Sequence, residues 1–178
     1  MDQHSIGTDL RSASGRRTAR GRALDVARFC SLLFVALALG PSAAHLLELP
    51  NKIGLSRADY LTVQHIYNGW ALLGIVVLGA LASTLALAIL SRRRRQFTPA
   101  LLAFLCIVAA QLVFWSFTYP ANRATRNWTE LPQAWQPLRT QWEYSHAAGA
   151  LLNLAAMMLL IGAVVGAARG AGDGESAA

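Results

Sequence analysis

Ala71-Leu-Leu-Gly-Ile-Val-Val-Leu-Gly-Ala-Leu-Ala-Ser-Thr-Leu-Ala-Leu-Ala-Ile-Leu90 carries no charge, and Arg92-Arg93-Arg94-Arg95 follows after a single serine. A run of about 20 apolar residues is long enough to cross the hydrocarbon layer of a bilayer as one helix. An abrupt arginine block marks a cytoplasmic end of such a helix. The Gly/Ala content suits close helix packing in lipid. On the other side the run begins with polar residues, Thr62, Gln64, His65 and Asn68, so the whole second segment reads as Leu61 to Leu90.

Outward from it, three more apolar runs stand at similar spacing. Phe29 to Leu49 is the first, with Gly40-Pro41 as a point where the helix kinks. Pro99 to Tyr119 is the third, opened by a proline suited to a first turn and closed by Pro120. The fourth runs from about Arg139 to Ala168. Pro50 to Asp59 reads as a short loop, and residues 120–138 as the longest one. Four runs predict an all-α, integral membrane four-helix bundle over residues 28–168. Residues 1–27, with Arg11, Arg16, Arg17, Arg20 and Arg22, read as a disordered basic cytoplasmic tail, and 169–178 as a small disordered C-terminal tail. A rival reading of the first run is a signal peptide, with Pro41-Ser42-Ala43-Ala44 as a small-residue cleavage site.

The chain has 178 residues, 54% of them hydrophobic, and a net charge of +7. That is too apolar for an ordinary soluble domain. The positive charge does not argue for nucleic acid, because it flanks the apolar runs and no nucleic-acid motif accompanies it. Eleven Lys/Arg fall on the tails and the tetra-arginine loop, against five (Lys52, Arg57, Arg123, Arg126, Arg139) on the other two loops and helix ends. The richer side is the cytoplasmic one, with both termini there. Cys30 and Cys106 sit singly in apolar runs, where cysteine behaves as a small hydrophobe.

With that topology the polar chemistry gathers at the outer ends. His45, His65 and His146 lie there, as do Glu48, Asp59, Glu130 and Glu143, all five Trp and all four Tyr. His45-Leu-Leu-Glu48 ends the first run and Glu143-Tyr-Ser-His146 opens the fourth. Three-residue spacing puts each pair on one helix face. If those helices are antiparallel, His45 is level with His146 and Glu48 with Glu143. Ionisable groups at the mouth of apolar helices are functional-site candidates by default.

Three readings of this cluster stay open. In the first, His45, Glu48, His65, Glu143 and His146 hold a single transition metal. The spacing is like that of di-iron carboxylate bundles, but the third run offers no carboxylate. A bis-histidine haem site is a variant of this reading. In the second, His65 or His146 is a base, its Glu partner sets tautomer and basicity, and Arg139, Arg123 or Arg126 holds a developing oxyanion. In the third, the residues are interhelical hydrogen-bonding groups and no more. The aromatics divide likewise between an interfacial belt and the wall of a pocket for a small apolar or aromatic ligand. A belt normally marks both interfaces, and the inner one has no such aromatics, so both readings stand. Gln111 and Asn153, each ~12–13 Å inside the outer end, are candidates for a hydrogen-bonded pair or a pocket floor.

His45-Leu-Leu-Glu-Leu-Pro-Asn-Lys52, Tyr60 to Gln64 and Ile66-Tyr-Asn-Gly-Trp70 resemble the first half of the small four-helix membrane family that includes the anthrone oxygenases. Pro120-Ala-Asn122, Trp128 and Arg139-Thr-Gln-Trp-Glu-Tyr-Ser-His146 resemble its second half. The resemblance covers roughly residues 29–168. It implies a cofactor-independent oxygenase in which a base forms an enolate that reacts with O₂. On that implication His146 or His65 is the base, with Glu143 beside it, and Arg139 or Asn122 stabilises the anion. His45, Glu48, Tyr67, Trp70, Trp128 and Trp142 would then surround the substrate.

Overall fold

The computed structural model of the chain describes the backbone of residues 3–175 and the side chains of residues 18–167. Six α-helices make the fold, with no strand among the described residues: α1 (Gln3–Lys52), α2 (Arg57–Gln64), α3 (Leu73–Ser91), α4 (Phe97–Val113), α5 (Tyr119–Ala124) and α6 (Trp135–Glu175). Four stretches are long and apolar enough to cross a membrane: Thr18–Lys52, Trp70–Ser91, Phe97–Ala124 and Trp135–Ala167. The protein is a multi-pass membrane bundle, as its apolar runs require.

Helix α1 packs on α3 and α6, and α4 packs on the same two, so the long helices form a ring of four in up-and-down order. In lipid no hydrophobic transfer drives helices together, and close contact between small residues does most of the work. The core shows this. Ala80, Ala88, Ala100, Ala103 and Ala156 are buried beside Val35, Leu87, Ile107 and Leu160. Phe34 packs over Gly79 so closely that a Cβ there would lie 2.6 Å from its ring. Larger side chains such as Leu72, Ile75, Leu78, Leu112 and Met158 stay on the lipid face. Buried hydroxyls bond back to their own helix: Ser31 to the Ala27 carbonyl (2.6 Å), Thr84 to Ala80 (2.7 Å) and Ser91 to Leu87 (2.6 Å). That satisfies them without a partner helix. At the end of the bundle where α3 ends and α4 begins, the Arg28 guanidinium donates to Gln96 Oε1 (2.9 Å) and to Asp25 (2.7 Å), tying α1 to the start of α4.

Several boundaries differ from those expected of the sequence, and prolines account for most of the differences. Helix α1 runs unbroken through Pro41 and Pro50 to Lys52, so the first loop is only residues 53–56. This brings His45, Glu48 and Lys52 onto one face. The second run divides. Its polar lead-in is the separate helix α2 followed by a 3₁₀ turn at His65–Tyr67, and Gly69, at φ +87°, lets the chain turn into a second 3₁₀ turn at Trp70–Leu72 and on into α3. Pro120 does not stop the third helix. A π-helical turn at Phe114–Thr118 widens the path just before it, and helical structure continues through α5. The wider turn accommodates a residue that lacks an N–H and crowds the carbonyl four residues back. Gln141 Nε2 donates to the Phe117 carbonyl within that turn (2.8 Å). The loop expected over 120–138 therefore shrinks to residues 125–134. The stretches read as disordered tails from composition continue α1 back to Gln3 and α6 on to Glu175; residues 1–2 and 176–178 lie outside the described residues.

Candidate functional site

A cavity of about 1000 Å³ opens at the end of the bundle where α1 ends and α6 begins, labelled the outer end below and its opposite the inner end. Helix α1 gives it Ser42 and His45. Helix α6 gives Trp142, Ser145, His146 and Asn153. Gln64, Tyr67 and Trp70 come from the broken segment before α3, and Asn122 and Trp128 from α5 and its loop. Of the residues singled out from sequence, His45, Tyr67, Trp70, Asn122, Trp128, Trp142 and His146 all line it.

His45 and His146 meet across α1 and α6 as the antiparallel pairing requires. Their rings stack 4.1 Å apart at 26°. Aromatic rings enclose the pair: Trp142 lies 4.2 Å from His146 and 5.1 Å from His45, Tyr67 lies 4.6 Å from His45, and Trp70 5.5 Å from it. Neither imidazole makes a hydrogen bond among the described residues, and His45 Nδ1 is buried without a partner.

Behind this wall lies an ionic network. Lys52, on the same α1 face as His45 and Glu48, is 3% exposed. Its ammonium sits 3.2 Å from Glu143 and 3.6 Å from Glu48, and donates to the Tyr67 hydroxyl (2.7 Å). Tyr67 in turn donates to Glu48, and Tyr60 donates to Glu143 Oε1 (2.9 Å). Two carboxylates thus share one ammonium and each takes one phenol. Glu143 is fully buried, and its Oε2 has no partner. Lys52 also stands over the rings of Tyr67 (4.5 Å) and Trp142 (4.8 Å), which adds cation–π attraction. Burial pushes the Tyr60 hydroxyl well above the ordinary phenol range, and the Glu143 charge pushes it further. Burial and the bond to Glu48 do the same for Tyr67. Both remain protonated donors at neutral pH.

Asn122 has a defined orientation. Its Oδ1 accepts both indole N–H groups, from Trp142 (2.7 Å) and Trp128 (3.1 Å). That leaves its amide N–H₂ as a donor in the cavity wall. The loop that delivers Trp128 is strained: Arg126, Asn127 and Trp128 have φ of 47°, 55° and 62°. Left-handed residues with side chains cost about 1–2 kcal/mol each. The turn is held by Asn127 N–H to the Asn122 carbonyl (2.7 Å), Trp128 N–H to Thr125 Oγ1 (3.1 Å), and the burial of the Trp128 ring against Tyr60.

Other expectations land elsewhere. His65 is exposed on the 3₁₀ turn and does not line the cavity, because Gln64 and Tyr67 take the cavity-facing side of that segment and His65 falls on the other. Arg139 donates to the Leu55 carbonyl (2.8 Å) and stacks on Trp135 (4.5 Å), so it fastens the first loop to α6 rather than facing the cavity. Arg126 pairs with Glu130 at the surface. Glu48 and Glu143 stand behind the wall, bonded to Lys52 and the tyrosines. No three His, Cys, Asp or Glu among the described residues are arranged to hold a metal. Face-to-face imidazoles also direct their lone pairs side by side, not at a common ion. Asn153 bonds Ser42 Oγ on α1 (3.0 Å) instead of Gln111 on α4, although α6 packs on both helices. Both amides nevertheless line the cavity.

Sequence reasoning treated Lys52 as a topology charge and passed over Tyr60 and Gln64 as site residues. The signal was present: 45, 48 and 52 share a helix face once α1 is continuous, and 60 and 64 are one turn apart on α2. Gln64 is 4% exposed, and its buried amide acts on the Tyr60 hydroxyl without forming a hydrogen bond of full geometry.

No family model, no curated protein and no solved structure matches this chain.

Proposed function

We propose that the cavity binds a small, flat, aromatic or apolar molecule and that His146, stacked on His45, acts on it as a general base. The observation that carries this reading is the stacked imidazole pair itself: two histidines with no hydrogen bond among the described residues, set in the wall of an aromatic cavity. A neutral imidazole in such a wall can take a proton from an acidic C–H or O–H of the ligand. The Asn122 amide, aimed by its two tryptophans, can donate to the oxygen on which negative charge then develops.

The resemblance to the anthrone oxygenases gives this chemistry a specific form. Proton removal from the CH₂ of an aryl ketone gives an enolate. The enolate gives electrons to O₂, and loss of water leaves the quinone; anthrone and O₂ become anthraquinone and water. Lys52, Glu48, Glu143, Tyr60 and Tyr67 are positioning residues in this scheme, holding the wall on which the rings rest.

The test uses protein in lipid nanodiscs with anthrone under air, following O₂ uptake and anthraquinone absorbance. Wild type accelerates the conversion, and His146→Ala lowers the rate at least ~100-fold with the melting temperature within a few degrees. Retained turnover in that variant would end the assignment of the base. A wild type with no turnover would end the oxygenase reading.

The orientation belongs to the same proposal. Eleven basic residues on the side of the termini against five on the other support termini in the cytoplasm and a cavity on the outer face. Outside labelling of Gln133→Cys and not of Arg94→Cys is the expected result; the reverse pattern inverts the site.

A further inference from the structure

The cavity is unequal around its rim. Most of its polar groups come from α1, α6, the segment before α3, and α5 with its loop; Gln111 on α4 and Thr118 in the π turn add two more. The α3–α4 side is almost entirely apolar: Gly74, Ile75, Leu78, Phe114 and Trp115. On that side the two helices are not closed against each other. Helix α3 buries nothing before Ala80, and α4 buries nothing between Ala110 and the π turn. Ile75, Leu78 and Trp115 are cavity-lining and yet 69%, 67% and 59% exposed. The outer halves of α3 and α4 therefore leave a cleft at the depth of the acyl chains. The volume, about 1000 Å³, stands at the upper limit of drug-sized pockets and exceeds what a three-ring aromatic fills.

We infer that the ligand is an amphiphile taken laterally from the outer leaflet: a flat ring head bearing a hydroxyl or carbonyl, with an alkyl or prenyl tail. The head rests at His45 and His146, within reach of the Asn122 amide. The tail lies in the α3–α4 cleft along Gly74, Leu78 and Trp115 and continues into lipid. This inference rests on the proposed aromatic-ligand reading and extends it to the ligand's class and route. A tail that stays among acyl chains leaves little apolar surface to transfer on binding. Chain length therefore alters affinity little when concentration is counted per lipid, provided the cleft is open.

The probes are 4-methyl-1-naphthol and 4-decyl-1-naphthol, titrated into nanodisc-embedded protein. Binding is read by quenching of tryptophan emission, with probe expressed as mole fraction in lipid and protein-free nanodiscs as reference. Both compounds should bind wild type within threefold of each other. Gly74→Phe fills the cleft, and a Cβ at Gly74 meets nothing within 4 Å, so the backbone accepts it. It should weaken the decyl compound at least tenfold and leave the methyl compound within threefold. Ala71→Phe, at another exposed rim position, serves as the second plug and should act the same way. If wild type binds the methyl compound and rejects the decyl one, or if both plugs affect the two compounds equally, the lateral cleft is wrong while the aromatic site stands. If wild type binds neither, the aromatic-ligand reading falls and takes this inference with it.

Discussion

On α3 the buried residues are Ala80, Thr84, Leu87, Ala88 and Ser91, all toward the inner end; on α4 they are Ala100, Ala103, Ile107 and Ala110, again on the inner side. The outer halves of the same helices bury almost nothing against each other, and there the bundle holds polar and aromatic groups instead. Apart from the Arg28–Gln96 tie, the inner half is made of alanines, a few larger apolar side chains and self-satisfied hydroxyls, which demand little from their neighbours beyond fit. The outer half is made of groups that each need a partner: one ammonium between two carboxylates, two phenols, two indoles on one amide oxygen. Specific fit tolerates exchange among small apolar residues. A satisfied polar network in low dielectric does not tolerate the loss of a member.

The sharpest way to break this contrast is at Lys52. Lys52→Ala leaves Glu143 buried with no cation, and removing one partner of a buried pair costs ~3–5 kcal/mol. Thermal unfolding in detergent should show a fall far larger than any single change in the inner half. A shift below ~1 kcal/mol would mean that the network carries no structural weight. The next effect in size belongs to the inner half. Ala80→Leu, at a position with no exposure, overpacks the α1–α3 contact and should cost ~1–3 kcal/mol, with naphthol binding unchanged. Altered binding there would mean that the two halves are mechanically coupled.

A smaller effect comes with alkaline pH. Tyr60 and Tyr67 have folded pKa values raised above the ordinary ~10 of an unfolded tyrosine. A group whose folded pKa is raised contributes stability that is whole below the unfolded pKa and is lost as pH rises above it. The melting temperature should hold below pH 10 and fall by several degrees by pH 11, and Tyr60→Phe with Tyr67→Phe should flatten that fall. The smallest effect is Ser42→Ala, which removes the bond to Asn153 near the cavity floor. Interhelical bonds in membranes average about 0.6 kcal/mol, so the melt should barely move.

Much of this was legible in the chain. Hydropathy alone located four spans, because backbone groups in lipid must be satisfied within each segment and helices are the economical way to do so. The antiparallel order placed His45 opposite His146, and their stacking follows from it. What the sequence hid was rotation and local backbone. Nothing in the residues announces that Pro50 lies inside α1, yet only that continuity carries Lys52 up beside Glu143. Asn68-Gly69 is a visible turn signal, but which side of the segment before it faces the cavity, leaving His65 on the other, depends on how α2 docks. Arg139 looked like an anion-binding group by charge, and the Leu55 carbonyl took it first.

Phe34 and Gly79 meet at the boundary between the two halves. The missing side chain on α3 seats a ring from α1 one residue before the first buried position of that helix. The contact works as a depth stop. A larger residue at 79 would force the helices apart lower down and lengthen the cavity inward, whereas a smaller residue at 34 would let them close higher and shorten it. The depth of the cavity is therefore set in part by a pair that does not line it.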